Sequence, residues 1–199
     1  MPQPIRGSLN HINFDSDLLA RDRKLCGRLA AALNEWSKAE GALGLLLSTI
    51  LKIRPSVATE TIGSIVSFVP RLDVVKAAAS AMMPPALATQ VHTLMDLARR
   101  KAGERNEIAH GIWGVSNDFP DRLVLCAAQN AYLVASRHTE ANLRPEDILA
   151  EFRPHLSLWS ESCFREKQDR FNKLQTAIVE LANVIVQQGP APQSQPPKD

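Results

Sequence analysis

Residues 85–111 read PALATQVHTLMDLARRKAGERNEIAHG, and the spacing of their apolar side chains decides the fold class. Leu87, Val91, Leu94 and Ala98 recur every three or four residues, which lines them along one face of an α-helix. Proline suits the first helical turn, where its missing N–H is not needed, so the helix is expected to start near Pro85. Gly111 suits the end, where a residue without Cβ turns left-handed. The predicted helix runs to about His110 and closes on Arg105-Asn106-Glu107-Ile108-Ala109-His110.

The same period extends outward. From about Ser16 an apolar stripe of Leu18, Leu25, Leu29, Leu33, Trp36, Leu43, Leu47 and Ile50 predicts a long helix that ends before Pro55. Gly41 and Gly44 weaken its middle and suit a kink or a close crossing. Ile62, Ile65, Val66 and Val69 predict a short helix stopped by Pro70; Leu72, Val75 and Ala79 predict another, stopped by Pro84-Pro85. After Gly111 the pattern changes: Ile112–Val115 and Arg122–Cys126 read as two strands around a turn-rich loop, with Ala131–Ala135 as a third. Helix resumes near Pro145, and its spacing continues through Ile148, Phe152, Leu156, Trp159, Phe164, Phe171, Leu174, Ile178, Leu181 and Ile185. Pro154 marks a break or the start of the last long helix. The expectation is an all-α fold of about five helices, with a small β-hairpin inserted before the last long one. Residues 1–14 are expected to be irregular, 15–187 a single helical-bundle domain, and 188–199 a disordered Pro/Gln-rich tail.

Composition bounds the function. The 199 residues suffice for one well-buried core, and 45% apolar with 22% charged is an ordinary globular balance. A net charge of +2 creates no global field to draw in nucleic acid or membrane, so polyanion binding must rest on a local patch. Cys26, Cys126 and Cys163 have no zinc-like spacing and are expected to be reduced and mostly buried. The N-terminus has no signal-peptide run, and Gly41–Leu51 is shorter than the about 20 residues a bilayer crossing requires. A soluble, cytoplasmic protein without membrane partners is expected. His92, His138 and His155 have no metal-ligand companions, and no Gly-rich phosphate loop, G-x-S-x-G or H-E-x-x-H occurs.

The chemistry gathers at the end of the 85–110 helix. Heptad steps from Val91 and Ala98 lead to Arg105, an arginine on the inward face that must be paired or must line a cleft. Asn106 and His110 are four apart and share a neighbouring face. Arg105 and His110 are separated by roughly 140° at about 100° per residue, so joint contact with a phosphate calls for a helix end in a cleft or at a subunit interface. Arginine offers a fixed fork for phosphate oxygens, histidine transfers protons near neutrality, and asparagine holds either by hydrogen bonds. No cofactor or metal is called for.

Arg105-Asn106-x-x-x-His110 near the end of a helix resembles the R-x4-6-H motif of HEPN-domain proteins, in which a polar residue commonly follows the arginine. The resemblance implies a homodimeric helical bundle whose two subunits each contribute Arg105 and His110 to a composite site. It also implies metal-independent endoribonuclease activity, with the RNA 2′-hydroxyl as nucleophile and a cyclic phosphate product, often within toxin–antitoxin or other defence systems. A cognate antitoxin or another protein partner would then be expected. The strand-like insertion after Gly111 departs from the minimal bundle of that family.

Each residue also has a plainer reading. The stripe Leu29, Trp36, Leu43 brings Ala39 or Glu40 inward, so Glu40 is a candidate to pair with Arg105 and fix helix packing, or to orient a catalytic arginine. His110 suits the terminal carbonyls of its helix. Trp113 is a base-stacking candidate or a core residue. Arg99-Arg100-Lys101 and the group Arg21, Arg23, Lys24, Arg28 are candidate RNA-backbone contacts or solvated faces. The alternative function is a non-catalytic dimerisation or protein-interaction module with a structural Arg105. A third is a regulatory, antitoxin-like subunit whose tail contacts a partner.

Overall fold

The computed structural model describes residues 1–5, 9, 11–14, 17, 22–141 and 145–188. Leu18, Arg21, the His138 side chain and the tail from Gly189 onward lie outside them. The described chain is mostly helical, with one small antiparallel sheet. Its elements are β1 (Gln3–Pro4), α1 (Arg23–Leu51), α2 (Pro55–Gly63), α3 (Phe68–Met82), α4 (Pro85–His110), β2 (Ile112–Val115), β3 (Leu123–Cys126), α5 (Ala128–Ala141), α6 (Pro145–Phe152), β4 (Leu156–Trp159) and α7 (Glu161–Gln187). A single 3-10 turn, Arg153–His155, joins α6 to β4.

Seven helices among the described residues replace the expected five, and prolines account for part of the difference. Pro70 does not stop a helix; it sits in the first turn of α3, where its missing N–H is harmless. Ile65 and Val66 therefore lie in a connection, and Val66 is 97% exposed. Ala131–Ala135, expected as a strand, belongs to α5, because the alanines flanking its short apolar run favour helix. Leu156 and Trp159, expected on helical spacing, instead form β4. A three-residue step fits either state over so short a run, and Pro154 in the preceding 3-10 turn ends α6 and redirects the chain. Where residues 1–14 were expected to be irregular, β1 pairs with β4 and Asn13 bridges to Val115. The predicted hairpin thus becomes two strands of a four-stranded sheet, in the order β1-β4-β3-β2.

The chain divides into two compact units, one formed by Met1–Trp36 and Lys101–Asn172, the other by Ser37–Arg100 and Lys173–Asp199. In the first, Val124, Cys126, Leu156 and Leu158 of the sheet cluster with Ile5 and Leu9. Trp113, Trp159 and Phe164 pack against one another edge-on or tilted, with ring centroids 5.3–5.4 Å apart. Trp36 meets Phe171 edge-on at 5.3 Å. Burying aromatic surface of this kind contributes roughly 25 cal/mol per Å², and edge-to-face pairing adds to it.

In the second unit Leu43, Leu46, Leu47, Ile50, Leu72 and Val75 are buried. Gly44 serves the close crossing its sequence suggested: a Cβ there would lie 2.7 Å from Thr59 Oγ1, whereas Gly41 faces open space. α1 ends in a Schellman-type cap, with the Ile53 N–H donating to the Ser48 carbonyl at 3.1 Å. That cap puts Lys52 at φ 55°, the left-handed region in which glycine is at ease and lysine is strained.

Cys126 and Cys163 are buried and Cys26 is half-buried, all as free thiols. Burial pushes the Cys26 and Cys126 thiols up, away from the reactive thiolate. Among the described residues no helix is long and apolar enough to cross a membrane.

Candidate functional site

The last turn of α4 is held from two sides within the first unit. Ile108 is buried, and the Trp113 indole N–H donates to its carbonyl at 3.0 Å, satisfying one of the acceptors a helix end leaves over. Trp113 is therefore a core and capping residue, with its ring against Trp159 and Phe164. Gly111 is required for a reason other than the expected one. It has no left-handed φ; instead a Cβ there would lie 2.1 Å from Leu125 Cδ1, so β3 approaches the helix end too closely for any side chain. The Gly111 N–H continues the helical ladder to the Glu107 carbonyl at 3.1 Å.

On this fixed turn the three motif residues meet. Arg105 is half-buried, while Asn106 and His110 are exposed. Arg105 Nη1 donates to Asn106 Oδ1 at 3.2 Å and lies 3.3 Å from His110 Nε2. The angular separation read from the sequence does not keep Arg105 and His110 apart, because the long arginine stem carries its head across the turn. A guanidinium only donates, so His110 Nε2 accepts in this contact and the ring hydrogen belongs on Nδ1. Arg105 Nε is buried without a hydrogen-bond partner among the described residues, an arrangement that costs about 1–3 kcal/mol.

Glu40, the candidate partner for Arg105, forms an ion pair within the second unit. It belongs to the second unit, where its carboxylate lies 3.9 Å from Arg71 Nη1. Arg71 is further anchored by donation from its Nε to the Ile65 carbonyl at 2.7 Å.

Sequence reasoning misses the acid beside the motif. Glu104 accepts from Lys101, from Lys167 Nζ at 2.9 Å and from Arg170 Nη1 at 3.4 Å. Burial works to raise this carboxyl, but the Lys101 and Lys167 ammoniums outweigh it and hold it at about 2. Lys167 is itself buried, with its ammonium 5.8 Å from the centre of the Trp159 ring. The Lys101–Glu104 spacing is visible along α4, but the α7 partners are 63 and 66 residues away and leave no local signal.

The basic clusters divide accordingly. Lys101 is engaged by Glu104, whereas Arg99 and Arg100 are exposed in the second unit. Lys24 and Arg28 both lie on Glu161, at 2.6 and 3.0 Å, and Arg165 joins them. Hydrogen bonds from Lys24 and Arg165 hold the Glu161 carboxyl at about 2. His92 Nε2 meets Ser80 Oγ at 3.0 Å and the Lys76 carbonyl at 3.2 Å. Among the described residues no three His, Cys, Asp or Glu side chains gather as metal ligands. Comparison with protein families, curated proteins and solved structures returns no match.

Proposed function

We propose that this chain is a HEPN-like, metal-independent endoribonuclease that acts as a homodimer, with a toxin–antitoxin or other defence system as its setting. The observation that carries the reading is the convergence of Arg105, Asn106 and His110 on one guanidinium nitrogen at a helix end. Such a trio pairs a fixed cation with a proton acceptor and a hydrogen-bonding amide, the set that phosphodiester transfer requires.

In the proposed reaction an incoming phosphate draws the Arg105 guanidinium onto its own oxygens. His110 Nε2, released from that contact, takes the proton of the 2′-hydroxyl. The 2′-oxygen then bonds to phosphorus and the bond to the 5′-oxygen breaks. His110 of the partner subunit, starting as the doubly protonated imidazolium, supplies the proton that the leaving oxygen needs, and the product is a cyclic phosphate. Asn106 steers Arg105 during the exchange.

The test is cleavage of a mixed RNA pool in the presence of chelator. Activity is expected from the parent chain and is lost from Arg105→Ala and from His110→Ala at unchanged melting temperature. Cleavage retained by both variants overturns the assignment.

A second reading, a non-catalytic dimerisation or protein-interaction module, is favoured by the half-buried Arg105 side chain bridging to Asn106 and His110, since a last-turn brace has the same appearance. On that reading no RNA is cut and Arg105→Ala melts at markedly lower temperature.

A further inference from the structure

The second unit contains a cavity of about 640 Å³ that the ribonuclease reading does not use. Its wall is made by Met82, Met83, Leu87, Ile185 and Val186, with Lys52 as its cation. The volume falls in the range of small-molecule sites, which are mostly apolar with a few polar groups that set orientation.

Three features of the lining narrow the ligand. Among the described residues the wall is aliphatic and thioether, without an aromatic ring to stack a planar base or cofactor. Methionines adapt to irregular or flexible chains, and two stand side by side here. Met82 and Val186 are 53% and 67% exposed, so this surface is left open.

Lys52 specifies the other end of the ligand. It is exposed and has no ion-pair partner among the described residues. It also holds the left-handed cap position of α1, at φ 55°, where glycine would be less strained. The cap explains the backbone conformation but not the choice of a lysine. A single ammonium matches a monovalent anion, while a phosphate monoester is better served by a bidentate arginine or several cations. Gln188 and Thr49 complete the polar lining; the Thr49 hydroxyl hydrogen is donated to the Leu45 carbonyl at 3.0 Å.

We infer that this cavity binds a single-chain aliphatic carboxylate, with the alkyl chain along Met82, Leu87 and Ile185 and the carboxylate on Lys52. The inference is independent of the ribonuclease reading, since every residue it uses lies in the other unit.

The experiment is calorimetric titration of the full chain with octanoate, decanoate, dodecanoate and the neutral dodecanol. Saturable binding is expected, tightening by up to about fourfold per added methylene. Lys52→Gly relieves the strained cap, so it remains folded. It is expected to weaken dodecanoate at least tenfold while leaving dodecanol unchanged. Met82→Trp, placed at the open rim, is expected to weaken both. Absence of saturable binding overturns the inference, as does equal dodecanoate affinity in the parent and Lys52→Gly, or full affinity in Met82→Trp.

Discussion

In the unit formed by Met1–Trp36 and Lys101–Asn172, cations are drawn onto two carboxylates, Glu104 and Glu161, and large aromatic side chains are buried against one another. In the unit formed by Ser37–Arg100 and Lys173–Asp199, Leu45, Ile53, Val57, Val66, Met82 and Val186 are exposed, and Lys52 stands without an ion-pair partner among the described residues. The contrast teaches where precision is spent. A polar site needs its charges held by fixed neighbours, because a loosely held guanidinium or imidazole loses orientation. An apolar binding surface needs area and adaptability instead. On the readings proposed above, the first unit would hold the chemical site and the second the ligand surface.

The sharpest way to break this contrast is through the motif. His110→Ala is expected to lower RNA cleavage by about 10²–10⁴-fold, the usual range for removing a general acid–base group. If Lys52→Gly lowers cleavage equally, the two units are not functionally distinct. Gly111→Ala comes next. Its Cβ has no room against buried Leu125, and the overpacking is expected to cost about 1–3 kcal/mol in a denaturant melt. Unchanged stability would mean that β3 yields easily and does not fix the last turn of α4.

Glu104 provides a pH test of the first unit. Its carboxyl is depressed to about 2 from an ordinary 4.5, so its contribution to stability is present above pH 4.5 and is lost as pH falls toward 2. Glu104→Gln should flatten the decline in melting temperature over that window. After allowance for partial solvent screening, the effect is about 1 kcal/mol. An unchanged slope would show that the cluster is not coupled to folding. The smallest effect belongs to the second unit: Lys52→Gly is expected to stabilise by about 1 kcal/mol, a rise of roughly 2–4 °C, by relieving the left-handed lysine. A lower melting temperature would mean that Lys52 makes contacts that outweigh its strain.

Much of the fold is legible in the amino-acid sequence. Proline and apolar spacing mark α4 from Pro85 to His110, because long periodic runs carry the strongest local signal. The two strands after Gly111 are marked by their β-branched and aromatic content around a turn-rich loop. Short runs are not legible in this way: Leu156–Trp159 fits a helix or a strand equally well, and only pairing with Leu123–Cys126 selects the strand. Proline at position 70 is ambiguous for a similar reason, since the residue ends one helix and begins another with the same geometry.

At the site, the sequence alone marked Arg105, Asn106 and His110 as candidates and placed them at a helix end. Residue identity dictates donor and acceptor capacity, and helical periodicity dictates spacing. Tertiary structure decided the rest. Arg105 reaches His110 because its side chain is long and the turn beneath it is pinned by Trp113 and Leu125. Glu104 became the centre of a charge cluster because α7 brings Lys167 and Arg170 to it. Glu40 has Arg71 at 3.9 Å, a partner that its own helix does not reveal. Partner choice among charges depends on distances across the chain, and no local pattern in a sequence encodes those distances.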